Sequence, residues 1–190
     1  MTIKQIIKTT AVYLGRDDII AYLDGELFDT PEDILKELEQ EVNSLTKCAN
    51  LVINQLATEY VPLKSIDVVR SDNGQILYTS FPSNPIDILA VYDVYGNKLE
   101  YKILPLYLLT KPEAVKVEYT YLPPEYNLEE TIAYTENKVP IRIIAYGVTA
   151  EYTMISGRFD EAILWDKRYK NSILNILMPK NSVIKGRYWR

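Results

Sequence analysis

Apolar residues recur along this chain with two different periods. From Ile34, the positions Leu38, Val42, Leu45, Ala49, Val52, Leu56 and Tyr60 follow at steps of three or four, which draws one stripe down a helix. Thr30-Pro31-Glu32-Asp33 precedes the stripe and supplies an N-cap, a proline suited to the first helical position and acids for the first turn. Pro62 stops it. The spacing predicts a helix of about 30 residues, roughly 45 Å long at ~1.5 Å per residue. That exceeds what the core of a small domain needs and suggests lateral packing against a neighbour. Ahead of it, Ile3–Leu14 reads as a short helix ended by Gly15, and the stretch from Asp17 to Phe28 reads as a loop.

Between Val61 and Tyr121 the period changes to two. Val115, Val117, Tyr119 and Tyr121 alternate with Lys116, Glu118 and Thr120, a strand with one buried face. Ser71-Asp72-Asn73-Gly74 separates Ile66–Val69 from Ile76–Tyr78 and reads as a hairpin turn. A second turn, Tyr95-Gly96-Asn97-Lys98, lies between Ile88–Tyr92 and Leu99–Ile103. Pro82, Pro85, Pro105 and Pro112 punctuate the connections, so the strands are expected to be short and antiparallel.

After a polar linker, Pro123–Lys138, the helical period returns. Val139-Pro140 opens a helix carrying Ile141, Ile144, Val148, Tyr152 and Ile155. Ser156-Gly157-Arg158 breaks it. A last helix then runs from Phe159 to Leu177, with Phe159, Ile163, Tyr169, Ile173 and Ile176 expected inward and Pro179 as its stop. The expected architecture is therefore α+β. Residues 1–60 and 139–178 form a helical bundle with a long central helix, residues 61–138 an antiparallel β insertion, and residues 179–190 an extended C-terminal tail.

Composition narrows the chemistry. The 190 residues include no His and one Cys. This removes His-ligated zinc, Ser-His and Cys-His nucleophilic pairs, and any disulfide framework or CxxC site. Seven glycines are dispersed, with no GxGxxG or GxxxxGK cradle for phosphate. The acid pairs Asp17-Asp18, Glu32-Asp33, Glu129-Glu130 and Asp160-Glu161 read mainly as structural. Two of them sit in first helical turns, where acids complement the helix dipole. Asp72-Asn73-Gly74 lacks the alternating acids of a calcium loop. Cys48 reads as a small core residue. No metal, cofactor or catalytic residue is expected, and the chain reads as a non-enzyme. The N-terminus lacks the apolar core of a signal peptide, and no apolar run approaches the ~18 residues that cross a bilayer. A soluble protein of a reducing cytoplasm, without membrane contact, is expected.

Charge is uneven. Residues 1–60 carry 5 basic and 11 acidic side chains, residues 61–139 carry 7 and 11, and residues 140–190 carry 9 and 4. The last eleven residues hold Lys180, Lys185, Arg187 and Arg190 with no acid, and a Tyr188-Trp189 pair stands among the cations. Trp, Tyr and Arg dominate binding hot spots, so this end reads as an interface anchor. The 16 tyrosines read chiefly as packing and protein-contact residues.

One stretch carries a resemblance. Val139-Pro140-Ile141-Arg142-Ile143-Ile144-Ala145-Tyr146-Gly147-Val148-Thr149-Ala150-Glu151-Tyr152 leads to Ser156-Gly157-Arg158-Phe159-Asp160-Glu161-Ala162 and then to Trp165-Asp166-Lys167-Arg168-Tyr169. Together with residues 30–60, this resembles the head-to-tail connector (adaptor) proteins of tailed bacteriophages, the tail tubular protein A group. The β block matches by type and position alone, and it is longer than in minimal adaptors. The resemblance implies a structural virion protein, located in the neck or tail region and assembled in the host cytoplasm. Such proteins form a homo-oligomeric ring, typically a dodecamer, beneath the portal protein. The ring is a platform for tail or nozzle proteins, and double-stranded DNA passes through it without specific binding. It further implies portal binding by the C-terminal segment, here Ile184, Lys185, Arg187, Tyr188, Trp189 and Arg190. Subunit contacts would fall along the long and last helices, at Leu38, Val42, Leu45, Trp165, Arg168 and Tyr169. The net acidity suits a channel that must release DNA.

A second reading is a carbohydrate-binding or hydrolytic module with Tyr92, Tyr95 and Tyr101 displayed on the β block. Hydrolysis would require two carboxylates about 5–9 Å apart across a cleft, and no convincing pair stands out.

Overall fold

The computed structural model describes residues 1–28, 30–71, 73–111 and 114–178. The fold is α+β, with two compact units. One is built from Met1–Ala49 and the chain from Asn127 onward; the other is Asn50–Tyr126. The expected tail from residue 179, Pro179 as a helix stop, and all six portal-binding residues lie outside the described residues.

In the first unit, α1 (Ile3–Leu14) is started by a capping box: the Gln5 backbone N–H donates to the Thr2 hydroxyl, and the Thr2 N–H donates to the Gln5 side chain at 2.9 Å. Ile3, Ile6, Ile7, Thr10 and Ala11 form its buried stripe, and Gly15 closes it in the left-handed region at φ 67°. The segment expected to be a loop instead contains α2 (Asp17–Asp24). Ile19 and Leu23, one turn apart, are its buried anchors, and Asp17 and Asp18 occupy the dipole-favoured first turn.

The long helix α3 (Glu32–Gln55) passes directly into a π-helical turn, Leu56–Tyr60, whose signature bond runs from Val61 N–H to Leu56 O at 2.7 Å. Leu38, Val42, Leu45, Ala49, Val52 and Leu56 are buried as the period predicts, whereas Ile34 is exposed. Cys48, Ile53 and Ala57 widen the stripe.

Helix α4 (Ile141–Ile155) is buried nearly all round, and it packs against both α1 and α5 (Phe159–Leu177). Pro140 brings no N–H, and the Glu136 carboxylate accepts from Ile141 N–H at 3.1 Å. The buried Thr149 and Thr153 hydroxyls donate back to backbone carbonyls at 2.7 Å, so neither costs an unpaired polar group. The linker before α4 is tied to the N-terminus: Lys4 N–H donates to Leu128 O at 2.8 Å and Ile132 N–H to Met1 O at 3.1 Å.

Helix α5 corrects one expectation. Tyr169 and Ile173 are buried and Ile176 half-buried, but Phe159 and Ile163 are about 60% exposed. At about 100° per residue, the buried stripe runs through Ala162, Tyr169 and Ile173, and Phe159 and Ile163 fall to one side of it.

The second unit is two small antiparallel sheets. β1 (Leu63–Arg70), β3 (Pro85–Tyr92) and β6 (Ala114–Tyr121) make one in the order β1-β6-β3; β2 (Gln75–Leu77), β4 (Lys102–Ile103) and β5 (Tyr107–Leu109) make the other in the order β2-β5-β4. The alternation read for β6 holds: Val115, Val117 and Tyr119 are buried and Lys116 is exposed. Both sheets contribute to one core, which includes Val69, Ile76, Val91, Leu108, Val117 and Tyr119.

The expected hairpin is corrected, and the second turn is found. The turn at Asn73-Gly74 is real, with both residues at positive φ, but β1 pairs with β6 while β2 pairs with β5. Gly74 is required there twice over, since a Cβ would lie 2.6 Å from Thr110 O. The second turn is organised by Asp93, whose carboxylate accepts from the N–H groups of Tyr95 and Asn97 at 2.9 and 2.8 Å. Pairing past it stops at the Tyr92–Lys98 bridge and the bond from Leu99 N–H to Val91 O, and β4 joins the other sheet.

Candidate interaction surface of the helical unit

Two side-chain assemblies mark the helical unit. The first joins α1, α4 and α5. Tyr13, near the end of α1, stacks on Trp165 of α5 with ring centroids 5.3 Å apart and an interplanar angle of 27°. Tyr146 of α4 completes a triad at 5.2 Å from Tyr13 and 5.7 Å from Trp165. The Arg168 guanidinium, one turn beyond Trp165, sits 4.7 Å from its ring centroid, a cation–π arrangement. All three rings are half-buried and Arg168 is exposed, so the assembly is reachable from solvent. Burial and then the neighbouring Tyr146 push the Tyr13 hydroxyl above its ordinary value, with Arg142 opposing. The Tyr13 hydroxyl therefore stays protonated at neutral pH.

The second assembly is a charge clamp. Arg16, at the start of α2, donates to Asp18 at 2.8 and 2.9 Å and makes a bidentate pair with Glu41 of α3. Tyr152 of α4 donates to the same Glu41 carboxylate at 2.5 Å. Hydrogen bonds to Asp18 and Glu41 raise the Arg16 pKa, and the bonds from Arg16 lower that of Asp18. Burial alone would raise the Glu41 carboxyl, but the bonds from Arg16 and Tyr152 outweigh it and hold it low. Burial, then the bond to Glu41, pushes Tyr152 up to about 12. An open depression of about 520 Å³ lies beside this clamp, lined by Arg16, Glu37, Gln40, Glu41 and Ser44. Every polar group of the clamp is engaged within the chain, which makes it a fastening of three helices rather than a ligand site.

The six expected subunit-contact residues divide. Leu38, Val42, Leu45 and Tyr169 are buried within the chain's own fold, and their assignment to a subunit surface is corrected: the stripe on α3 packs inward. Trp165 and Arg168 are accessible and belong to the aromatic assembly. The structure supplies what sequence reading missed, namely that Tyr13 and Tyr146 converge on Trp165. Their spacing in sequence carries no signal of that meeting, which depends on three helices packing together.

The acid pairs have ordinary partners. Asp18 holds Arg16, Glu32 holds Lys36 at 2.7 Å, Glu129 holds Lys4 at 3.2 Å and Glu161 meets Arg158 at 3.3 Å. Cys48 is buried, and burial with the nearby Glu151 pushes its thiol up to about 11. Among the described residues, no group of three or more His, Cys, Asp or Glu could hold a metal ion, and no helix is long and apolar enough to cross a membrane.

In the β unit, Tyr95 stands 88% exposed at its turn, Tyr92 is half-buried, and Tyr101 packs against the core with its hydroxyl donating to the backbone of Ile88 and Leu89 at 3.3 Å. The three rings thus have three different environments. An open groove of about 750 Å³ runs past Tyr101, edged by Lys98, Lys102 and Lys111. Set against known proteins, the chain matches no family model and no curated sequence.

Proposed function

We propose that this chain is a structural virion protein, one subunit of a ring that joins the portal of a DNA-filled head to the tail and lets double-stranded DNA pass. The observation that carries the reading is the accessible aromatic–arginine assembly on the last helix. It lies in the same Trp165-to-Tyr169 stretch that resembles the connector family, and Trp, Tyr and Arg are the side chains that anchor protein interfaces. The helix–sheet–helix order and the α3 helix agree with that resemblance. The acidic excess over residues 1–139 fits a passage through which phosphate must slide without being held.

In this reading the basic end of the chain, with Ile184, Lys185, Arg187, Tyr188, Trp189 and Arg190, docks on the portal. Deleting residues 180–190 tests it by co-sedimentation with the portal encoded in the same genome. Loss of attachment with an unchanged circular dichroism spectrum is expected, and undiminished attachment would contradict the assignment.

A further inference from the structure

We infer that Phe28, with the acids around it on the link between α2 and α3, docks in the lysine-edged groove of the β unit in a second copy of this chain. The inference rests on the ring reading above and names the two surfaces that would join neighbouring subunits. Leu99, Tyr101 and Leu109 give the groove an apolar lining, and its volume of about 750 Å³ is ample for a phenyl ring. Lys98, Lys102 and Lys111 are exposed along it against one carboxylate, Glu100. None of these lysines is paired with a carboxylate among the described residues. Asp93, in the neighbouring turn, is engaged by the N–H groups of Tyr95 and Asn97. The groove therefore suits a partner that brings an apolar anchor and negative charge together.

Exposure and charge together select the occupant. Among the described residues the most exposed large apolar side chains are Phe28 and Tyr95, 88% each, and Leu106, 75%. The charges nearest Tyr95 in sequence, Asp93 and Lys98, cancel, and no charged residue stands between Lys102 and Lys111 around Leu106. Only Phe28 of the three lies in an acidic stretch: from Asp17 to Leu35 the chain holds seven acids and no base. Lys8 holds Asp24 and Lys36 holds Glu32, while Glu26 and Asp33 stand exposed on either side of Phe28. A phenyl ring, unlike the ring of Tyr95, has no polar atom to keep in water, so seating it on Leu99 and Leu109 removes apolar area at no polar cost. Knob and socket are different surfaces of one chain, so the contact is heterologous and repeats around a ring or along an open chain.

Sedimentation velocity of the full chain at low salt tests this with one variant on each surface. Wild type is expected to self-associate. F28A removes the knob and K98E/K102E reverses the edge of the socket. All three positions are exposed, so both variants should keep the wild-type circular dichroism spectrum, and each should associate about tenfold or more weakly. An equimolar mixture holds one intact knob on the double variant and one intact socket on F28A, so it should form pairs and stop at dimers. A wild type that stays monomeric, an F28A chain that associates like wild type, or a mixture no more associated than its components would overturn the inference. Closed rings that tolerate both variants would also overturn it while leaving the ring reading standing. Open chains that depend on Phe28 would uphold the contact and contradict the ring.

Discussion

At the residue scale, the clamp around Glu41 gathers three helices on one carboxylate, and its consequences are measurable. Glu41→Gln keeps the shape but removes the charge that Arg16 and Tyr152 address, and a cost of roughly 1–2 kcal/mol is expected for this partly solvated site. Glu41 and Asp18 have lowered pKa values in the fold. Their contribution is therefore complete above the ordinary carboxylate range and is lost as pH falls through the folded values. Tyr152, raised to about 12 from 10.0, works in the opposite sense: its contribution is complete below 10.0 and is lost as pH rises toward 12. Thermal melts should show a shallower acid limb for Glu41→Gln and a shallower alkaline limb for Tyr152→Phe. Limbs unchanged from wild type would mean that the clamp carries no stability. Of this clamp, the sequence shows only charged residues far apart; which carboxylate meets Arg16 depends on how α2, α3 and α4 pack.

At the scale of elements, periodicity read α1, α3 and α5 well because each buries one stripe. Thr2, Gly15, Pro140 and Gly157 punctuate the chain where α1, α4 and α5 begin or end. Helix α2 escaped because it is two turns long and Arg16 offers no side-chain cap, which leaves two apolar anchors too few to draw a period. The hairpin failed for another reason. A period of two tells which face of a strand is buried, and a turn tells where the chain bends, but neither names the partner strand. β1 finds eight matched positions along β6, which the three-residue β2 cannot offer. The interface expected along α3 failed because an amphipathic stripe reads alike whether its own chain or a neighbour covers it. A paired substitution checks that correction. Leu45→Ala should cost about 2–5 kcal/mol in chemical denaturation through the cavity it leaves. Ile163→Ser, on the exposed face of α5, should change stability by no more than about 0.5 kcal/mol. Equal costs at the two sites would contradict this assignment of inside and outside.

At the scale of the whole molecule, the proposed role is that of a building block whose chemistry is in its surfaces. The absence of histidine and the single buried Cys48 removed much catalytic chemistry at the outset, and the fold leaves an aromatic–arginine assembly accessible on the helical unit. The acidic excess of the first sixty residues has a structural counterpart there, with Glu32, Asp33, Glu37 and Glu39 exposed on the first turns of α3. Trp165 and Arg168 were legible in sequence as contact residues; the convergence of Tyr13 and Tyr146 on Trp165 needed three helices brought together. A ring that carries DNA would be visible by imaging. Negative-stain class averages of the full chain mixed with the portal protein of its own genome should show closed, rotationally symmetric rings with an axial channel. Asymmetric single particles beside bare portals would contradict it.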